Sequence, residues 1–273
     1  MIDAHHHFWT YDPINYSWID ESMAAIQKSF LPEDLEPILT LNGVEGSVLV
    51  QVNQNEKEND LFLRYAQKHD FIRGVVGWID LRSDDLTERL LSYQDKPLMK
   101  GFRHIVQGEP DDFLFQPEFI EGVRRLHDFN YTYDILIYER QLRAALHFIR
   151  QLPENKLIID HIAKPDIKNK SLTRWANYMK EISHHENVFI KVSGMVTEAD
   201  YQNWKREDFY IYLDHLMEYL GPKRLIYGSD WPVCLVAAKY EEQLDILKTY
   251  FSGLSKEDQN CIFRENAIRF YNL

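Results

Sequence analysis

The sequence contains only two cysteines, Cys234 and Cys261, far apart and in no C-x-x-C pattern. That excludes a disulfide framework and a cysteine-based zinc site. Positive charge is also short: 31 Lys and Arg face 43 Asp and Glu, for a formal net charge of -12. Nucleic acids and anionic membranes both demand concentrated positive charge, so neither is an expected partner. No apolar run approaches the roughly 20 residues of a membrane-spanning helix. The N-terminus has no basic segment followed by an apolar stretch, so no secretory signal is expected. No repeat, low-complexity tract or Ser/Gly linker interrupts the chain. These absences predict a single domain over residues 1–273 and a cytoplasmic globular protein.

What is present is a core-forming composition, 45% hydrophobic and 14% aromatic, arranged in a regular alternation. Short runs rich in Val, Ile and Leu read as buried parallel strands, which are apolar on both faces. They are GSVLVQV (46–52), RGVVGWIDL (73–81), KGFRHIV (100–106), YTYDILI (131–137), KLIIDHI (156–162), VFIKVSG (188–194) and RLIYGSD (224–230). The opening MIDAHHH makes eight. Amphipathic stretches at helical spacing lie between them, clearest at 59–69, 119–129, 139–152 and 209–220. Pro117 marks a helix start, and Pro153 and Gly221-Pro222 mark helix ends. Eight βα units in this length predict an α/β fold, a (β/α)8 TIM barrel. An open doubly wound sheet is the competing architecture, but no G-x-G-x-x-G follows the first strand.

A barrel of this kind carries its chemistry at the C-terminal ends of its strands. Strand one ends in His5-His6-His7, and alternation puts Asp3, His5 and His7 on one face with His6 on the other. Strand four ends Arg103-His104, strand six Asp160-His161, and strand eight Ser229-Asp230-Trp231. Each element alone has a plainer reading: a solvated histidine run, a satisfied core histidine, a helix cap. Together they set imidazoles and a carboxylate around one mouth.

The H-x-H on strand one, the histidine on strand six and the aspartate on strand eight resemble the amidohydrolase superfamily. The phrases IDAHHHFW, GFRH, DHIAKP, KVSGM, YGSDWPVC and ENAIRFY are similar to its sugar-lactonase and carboxylactone-hydrolase branch, over almost the whole chain. The resemblance implies a hydrolase that opens a lactone, such as a fucono- or rhamnono-lactone, by water attack. Asp230 is then the general base, and His161, with His5 and His7, polarises the carbonyl. Strand five, YTYDILIY, has no His or Lys, so a binuclear centre bridged by a modified lysine is not expected. Two cofactor readings stand: no metal required, or one zinc or manganese on His5, His7 and Asp230 with His161.

An oxygen-rich substrate calls for donors and apolar platforms. Arg103 and His104, of which only one need face the mouth, Lys164, Trp18 and Trp231 are the expected substrate-binding residues. Trp18 comes from a long segment, about 8–31, in which Trp9 is expected simply to pack the loop down. Lys191 is expected near the pocket or in solvent, and Asp134 and Asp160 as structural carboxylates needing hydrogen bonds. Competing functions are a metal-dependent decarboxylase of an aromatic or muconic-type acid on the same scaffold, and a non-catalytic barrel that binds a sugar acid.

Overall fold

A computed structural model describes all residues, 1–273. Its eight strands run in the order β1 to β8 with every neighbouring pair parallel. They are β1 (Ile2–His6), β2 (Gly46–Val50), β3 (Ile72–Gly77), β4 (Met99–His104), β5 (Thr132–Ile135), β6 (Leu157–Ile159), β7 (Val188–Val192) and β8 (Leu225–Tyr227). All eight overlap the predicted runs; most are shorter, and β3 and β4 begin one residue earlier than predicted. The major helices are α1 (Pro32–Leu41), α2 (Glu56–Lys68), α3 (Leu86–Leu91), α4 (Pro117–Asp128), α5 (Leu142–Arg150), α6 (Thr173–Ser183), α7 (Glu207–Leu220) and α8 (Tyr240–Tyr250). Two short helices follow, α9 (Lys256–Asn260) and α10 (Asn266–Tyr271). The architecture is the (β/α)8 barrel, and no helix is long and apolar enough to cross a membrane.

Closure between the first and last strands is made just beyond β8. The Asp230 N–H donates to the His5 carbonyl at 2.8 Å, and the His7 N–H donates to the Trp231 carbonyl at 2.7 Å. Asp3 fastens the same seam with its side chain, accepting from the backbone N–H groups of Ser229 (2.8 Å) and His5 (3.2 Å). The bonds that close the barrel therefore set the H-x-H segment beside Asp230.

Strand one departs from simple alternation. Ile2 and Ala4 join the cluster that fills the lower barrel, with Val48, Val50, Val76, Ile158 and Ile226, while Asp3 turns to the Tyr240 hydroxyl on α8. Asp3 thus does not share a face with His5 and His7. The cause is a slip in the β1–β2 register between Asp3 and His6, which inserts a residue and resets which side chains point inward. His6 points away from the mouth, as expected, with Nε2 against the Ser47 hydroxyl.

The lower end of the barrel is plugged by α10. Phe270 and Tyr271 join the interior strand residues, and the Tyr271 hydroxyl donates to Asp134 on β5 at 2.9 Å. Outside the barrel, α4 sits so close to the chain after β3 that a Cβ on Gly122 would stand 1.8 Å from the Leu81 carbonyl oxygen. Backbone cannot yield as a flexible side chain can, so Gly122→Ala should lose about 2–3 kcal/mol of stability. A denaturation midpoint unchanged from the parent protein would show that the helix slides freely on the sheet.

Candidate active site

The mouth of the barrel holds a cavity of about 220 Å³, lined by His7, Trp18, Val52, Arg103, Ile105, Gln107, Leu136, His161, Lys164, Asp230 and Val233. Asp230 sits at its base, buried, with Oδ1 3.5 Å from His7 Nε2 and 3.8 Å from both His5 Nε2 and His161 Nε2. His5 lies beneath His7, fully buried, their Nε2 atoms 3.1 Å apart.

Local backbone conformation aims these groups. His161, Ile162, Ala163 and Lys164 all take the left-handed region, with φ between 46° and 62°, and Asp230 does so at 55°. Such geometry costs roughly 1–2 kcal/mol per non-glycine residue and persists only where its surroundings enforce it. Here Trp175 Nε1 donates to the Ile162 carbonyl at 2.6 Å. Across the turn, a Cβ on Gly194 would meet the His161 ring at 2.5 Å. The left-handed turn presses His161 against the end of β7, where its Nδ1 meets the hydroxyl of Ser193, the residue after the strand, at 2.9 Å.

Arg103, expected as a substrate-binding residue, combines two roles. Its guanidinium lines the cavity and is also locked structurally: Nη1 to Asp160 Oδ2 at 3.0 Å, Nη2 to the Gln51 carbonyl at 2.5 Å, and Nε to Gln51 Oε1 at 3.0 Å. Below it lies a fully buried floor in which Lys191 Nζ is 2.5 Å from Asp134 Oδ2 and 3.0 Å from Asp160 Oδ1. Lys191 is therefore no solvated lysine; with Arg103 it balances the two carboxylates Asp134 and Asp160 under His5. At the rim, Lys164 pairs with Glu198 at 3.5 Å and lies over the Tyr138 ring.

Burial alone would raise the Asp230 carboxyl, but His161, His7 and Lys164 more than offset it and hold the group below its ordinary value. Burial lowers His5 and His7, and lowers His161 to about 4 against the pull of Asp230. The site at neutral pH is thus a carboxylate among neutral imidazoles.

Two expected contacts fall elsewhere. His104 faces out of the barrel, stacked on Phe113 with ring centroids 5.0 Å apart, its Nε2 2.9 Å from Glu109. Strand alternation gives the inward position to Arg103 instead. Trp231 is buried outside the cavity against Phe8 and Phe30. With Asp230 turned inward and the Trp231 carbonyl bonded into the seam, its ring goes outward into the core. Trp18 does line the cavity and remains 41% exposed, edge-on to a buried Trp9 whose Nε1 is held by the Lys28 carbonyl. Gln51, Gln107, Glu198 and Tyr271 were not singled out in the sequence. Gln51 had a legible signal, a polar residue ending an apolar strand run.

One ligand atom from each of His5, His161 and Asp230 lies within 4.8 Å of the others. Two imidazoles and a carboxylate at that spacing fit zinc or manganese. The outer ring nitrogen of His161 meets the Ser193 hydroxyl, and that of His5 lies 3.4 Å from Asp160 Oδ1 and 3.1 Å from Lys191 Nζ.

A (β/α)8 barrel with histidines ending strands one and six and an aspartate beyond strand eight defines a class of barrel hydrolase. The chain belongs to the amidohydrolase family, whose model matches residues 2–273. It is 35% identical to an L-fucono-1,5-lactonase of Burkholderia multivorans, across 100% of this chain and 96% of that protein. It is 32% identical to an L-fucono-1,5-lactonase of Burkholderia ambifaria, across 100% and 95% respectively. A crystal structure of an amidohydrolase from Burkholderia multivorans with zinc bound superposes with a TM-score of 0.96 at 34% identity, covering 100% of this chain and 99% of that one.

Proposed function

We propose that the chain is a lactonase that opens a neutral sugar-acid lactone of the fuconic type. The observation that carries this reading is a cavity with one carboxylate base and no spare cation. Arg103 is matched by Asp160 and Lys164 by Glu198, leaving Asp230 as the functional charge. A dicarboxylic lactone or an aromatic acid needs unpaired positive charge here, and a neutral lactone does not. The names of the two Burkholderia relatives support the same substrate class.

The chemistry follows from the side chains. The Asp230 carboxylate takes a proton from water as the water oxygen attacks the lactone carbonyl. The developing oxyanion is stabilised by the guanidinium of Arg103 and the imidazole of His161. When the ring C–O bond breaks, Asp230 returns the proton to the leaving alkoxide, giving the hydroxy acid. His5, His161 and Asp230 would hold a divalent ion, and the chemistry it would supply there is Lewis-acid polarisation of the same carbonyl. Trp18 supplies a face for the sugar ring, and Val52, Ile105, Leu136 and Val233 supply the apolar wall.

A pH-indicator assay over aldonolactones and carboxylactones, before and after chelation, tests the proposal. Acid release from a neutral sugar lactone is the expected result; carbon dioxide release from an aromatic acid, without lactone hydrolysis, would instead establish the decarboxylase. The pH profile follows from the charge states. A base with a lowered pKa is ionised above that value and lost as pH falls through it, so kcat/KM should be flat through neutral pH and decline only in acid below the ordinary aspartate range. An inflection near pH 6–7 would point to a different base. Trp18→Ala should raise KM about 3–10-fold. Because the ring is 41% exposed, thermal stability should hardly change; an unaltered KM would remove Trp18 from the binding site.

A further inference from the structure

His5 and His7 hydrogen-bond to each other, and the direction of that bond is set from below. His7 Nδ1 lies 2.8 Å from the Val50 carbonyl oxygen. A carbonyl only accepts, so the proton of neutral His7 is on Nδ1 and its Nε2 is a lone pair. His5 Nε2 stands 3.1 Å from that lone pair, and the one proton between them must belong to His5. His5 Nδ1 is then the acceptor, and Lys191 Nζ lies 3.1 Å from it. The ammonium donates to Asp134 Oδ2 at 2.5 Å and faces His5 Nδ1 as its second acceptor, while Asp160 Oδ1, 3.0 Å away, is an ion-pair partner without a hydrogen bond.

We infer that Lys191 is a positioning residue that fixes the tautomer of His5. The bonds run one way, from the Lys191 ammonium to His5 Nδ1, from His5 Nε2 to His7 Nε2, and from His7 Nδ1 to the Val50 carbonyl. Three contacts pull against this order: Asp160 Oδ1 is 3.4 Å from His5 Nδ1, Arg103 Nη1 is 3.3 Å from His5 Nε2, and Asp230 Oδ1 is 3.5 Å from the His7 Nε2 lone pair. All three are longer than the bonds of the chain, and Asp160 Oδ1 and Arg103 Nη1 have nearer partners, Lys191 and Asp160 Oδ2 respectively, each at 3.0 Å. The opposite tautomer sets an N–H against the lysine protons and two Nε2 lone pairs against each other.

This order has a consequence for metal. The His5 nitrogen facing Asp230 carries a proton in the ordered chain, whereas ligation needs a lone pair there. Metal binding and the Lys191-ordered chain therefore compete, and Lys191 tilts the site toward the metal-free arrangement while holding His7 at the cavity wall.

The test is histidine-selective ¹⁵N NMR on the full-length, metal-free protein, with His5 assigned by its loss in His5→Gln. Long-range ¹H–¹⁵N correlations should show His5 protonated on Nε2 alone. Protonation on Nδ1, or on both nitrogens, overturns the inference. In the double variant Lys191→Met, Asp134→Asn, one buried charge of each sign is removed, so the floor stays balanced. His5 should then switch to Nδ1–H with Asp160 as acceptor, and zinc affinity by chelator competition should tighten about tenfold or more. Unchanged or weaker zinc binding in the folded variant also overturns it; should the variant not fold, the spectrum of the parent protein decides alone. No readout uses a lactone, so this inference and the lactonase reading fail independently.

Discussion

Replacing Asp230 by asparagine should lower kcat/KM on a sugar lactone by about 10²–10⁴-fold, the range carried by a positioned general base. The substitution is close to isosteric and removes the proton acceptor. It also suits the site: Asp230 has φ of 55°, a region asparagine tolerates better than most residues. The backbone bond from residue 230 to the His5 carbonyl is kept, so the seam and the fold should survive. Steady-state kinetics alongside circular dichroism check both halves. A folded variant retaining more than a tenth of parental activity would take the base role away from Asp230 and leave Arg103 and His161 as the main contributors.

Asp160→Ala should cost stability rather than chemistry first, by about 3–5 kcal/mol, the penalty for stranding buried charge. Asp160 is fully buried between Arg103 Nη1 and Lys191 Nζ, each 3.0 Å away. Burial alone would raise its carboxyl, but Lys191, His5 and Arg103 hold it well below the ordinary value. Such a group contributes stability above its unfolded pKa, and the contribution is lost as pH falls through the folded value. The deficit of the alanine variant should therefore be largest at neutral pH and shrink toward pH 3. Denaturant midpoints at the two pH values measure this. A deficit that does not depend on pH would mean that packing, not charge, is what Asp160 supplies.

Much of this was legible in the sequence because a parallel barrel has a strict grammar. Apolar runs of the right length located seven strands, the opening MIDAHHH completed the eight, and polar residues at their C-terminal ends located the mouth. What alternation could not reveal was the register slip that separates Asp3 from His5, since a slip depends on how two strands pair rather than on either one. Arg103 and His104 posed a two-way choice that only strand pairing resolves. Lys191 was misleading for a different reason. A lysine inside a barrel is tolerable only beside two carboxylates, and Asp134 and Asp160 reach it from positions 57 and 31 residues away in sequence. Trp231 neighbours Asp230 in sequence yet lies outside the cavity, because the seam turns adjacent side chains opposite ways.

That seam also bears on how the molecule comes into being. His5 is synthesised well before its partner Asp230, which emerges only after seven further strands; Tyr271, which reaches the floor from below, is later still. No early folding intermediate can hold a finished catalytic mouth, because the pairings that make it are among the most distant in sequence and form slowly. Recovered activity during refolding should consequently lag behind recovered helicity, and serve as a clock for the last step of assembly.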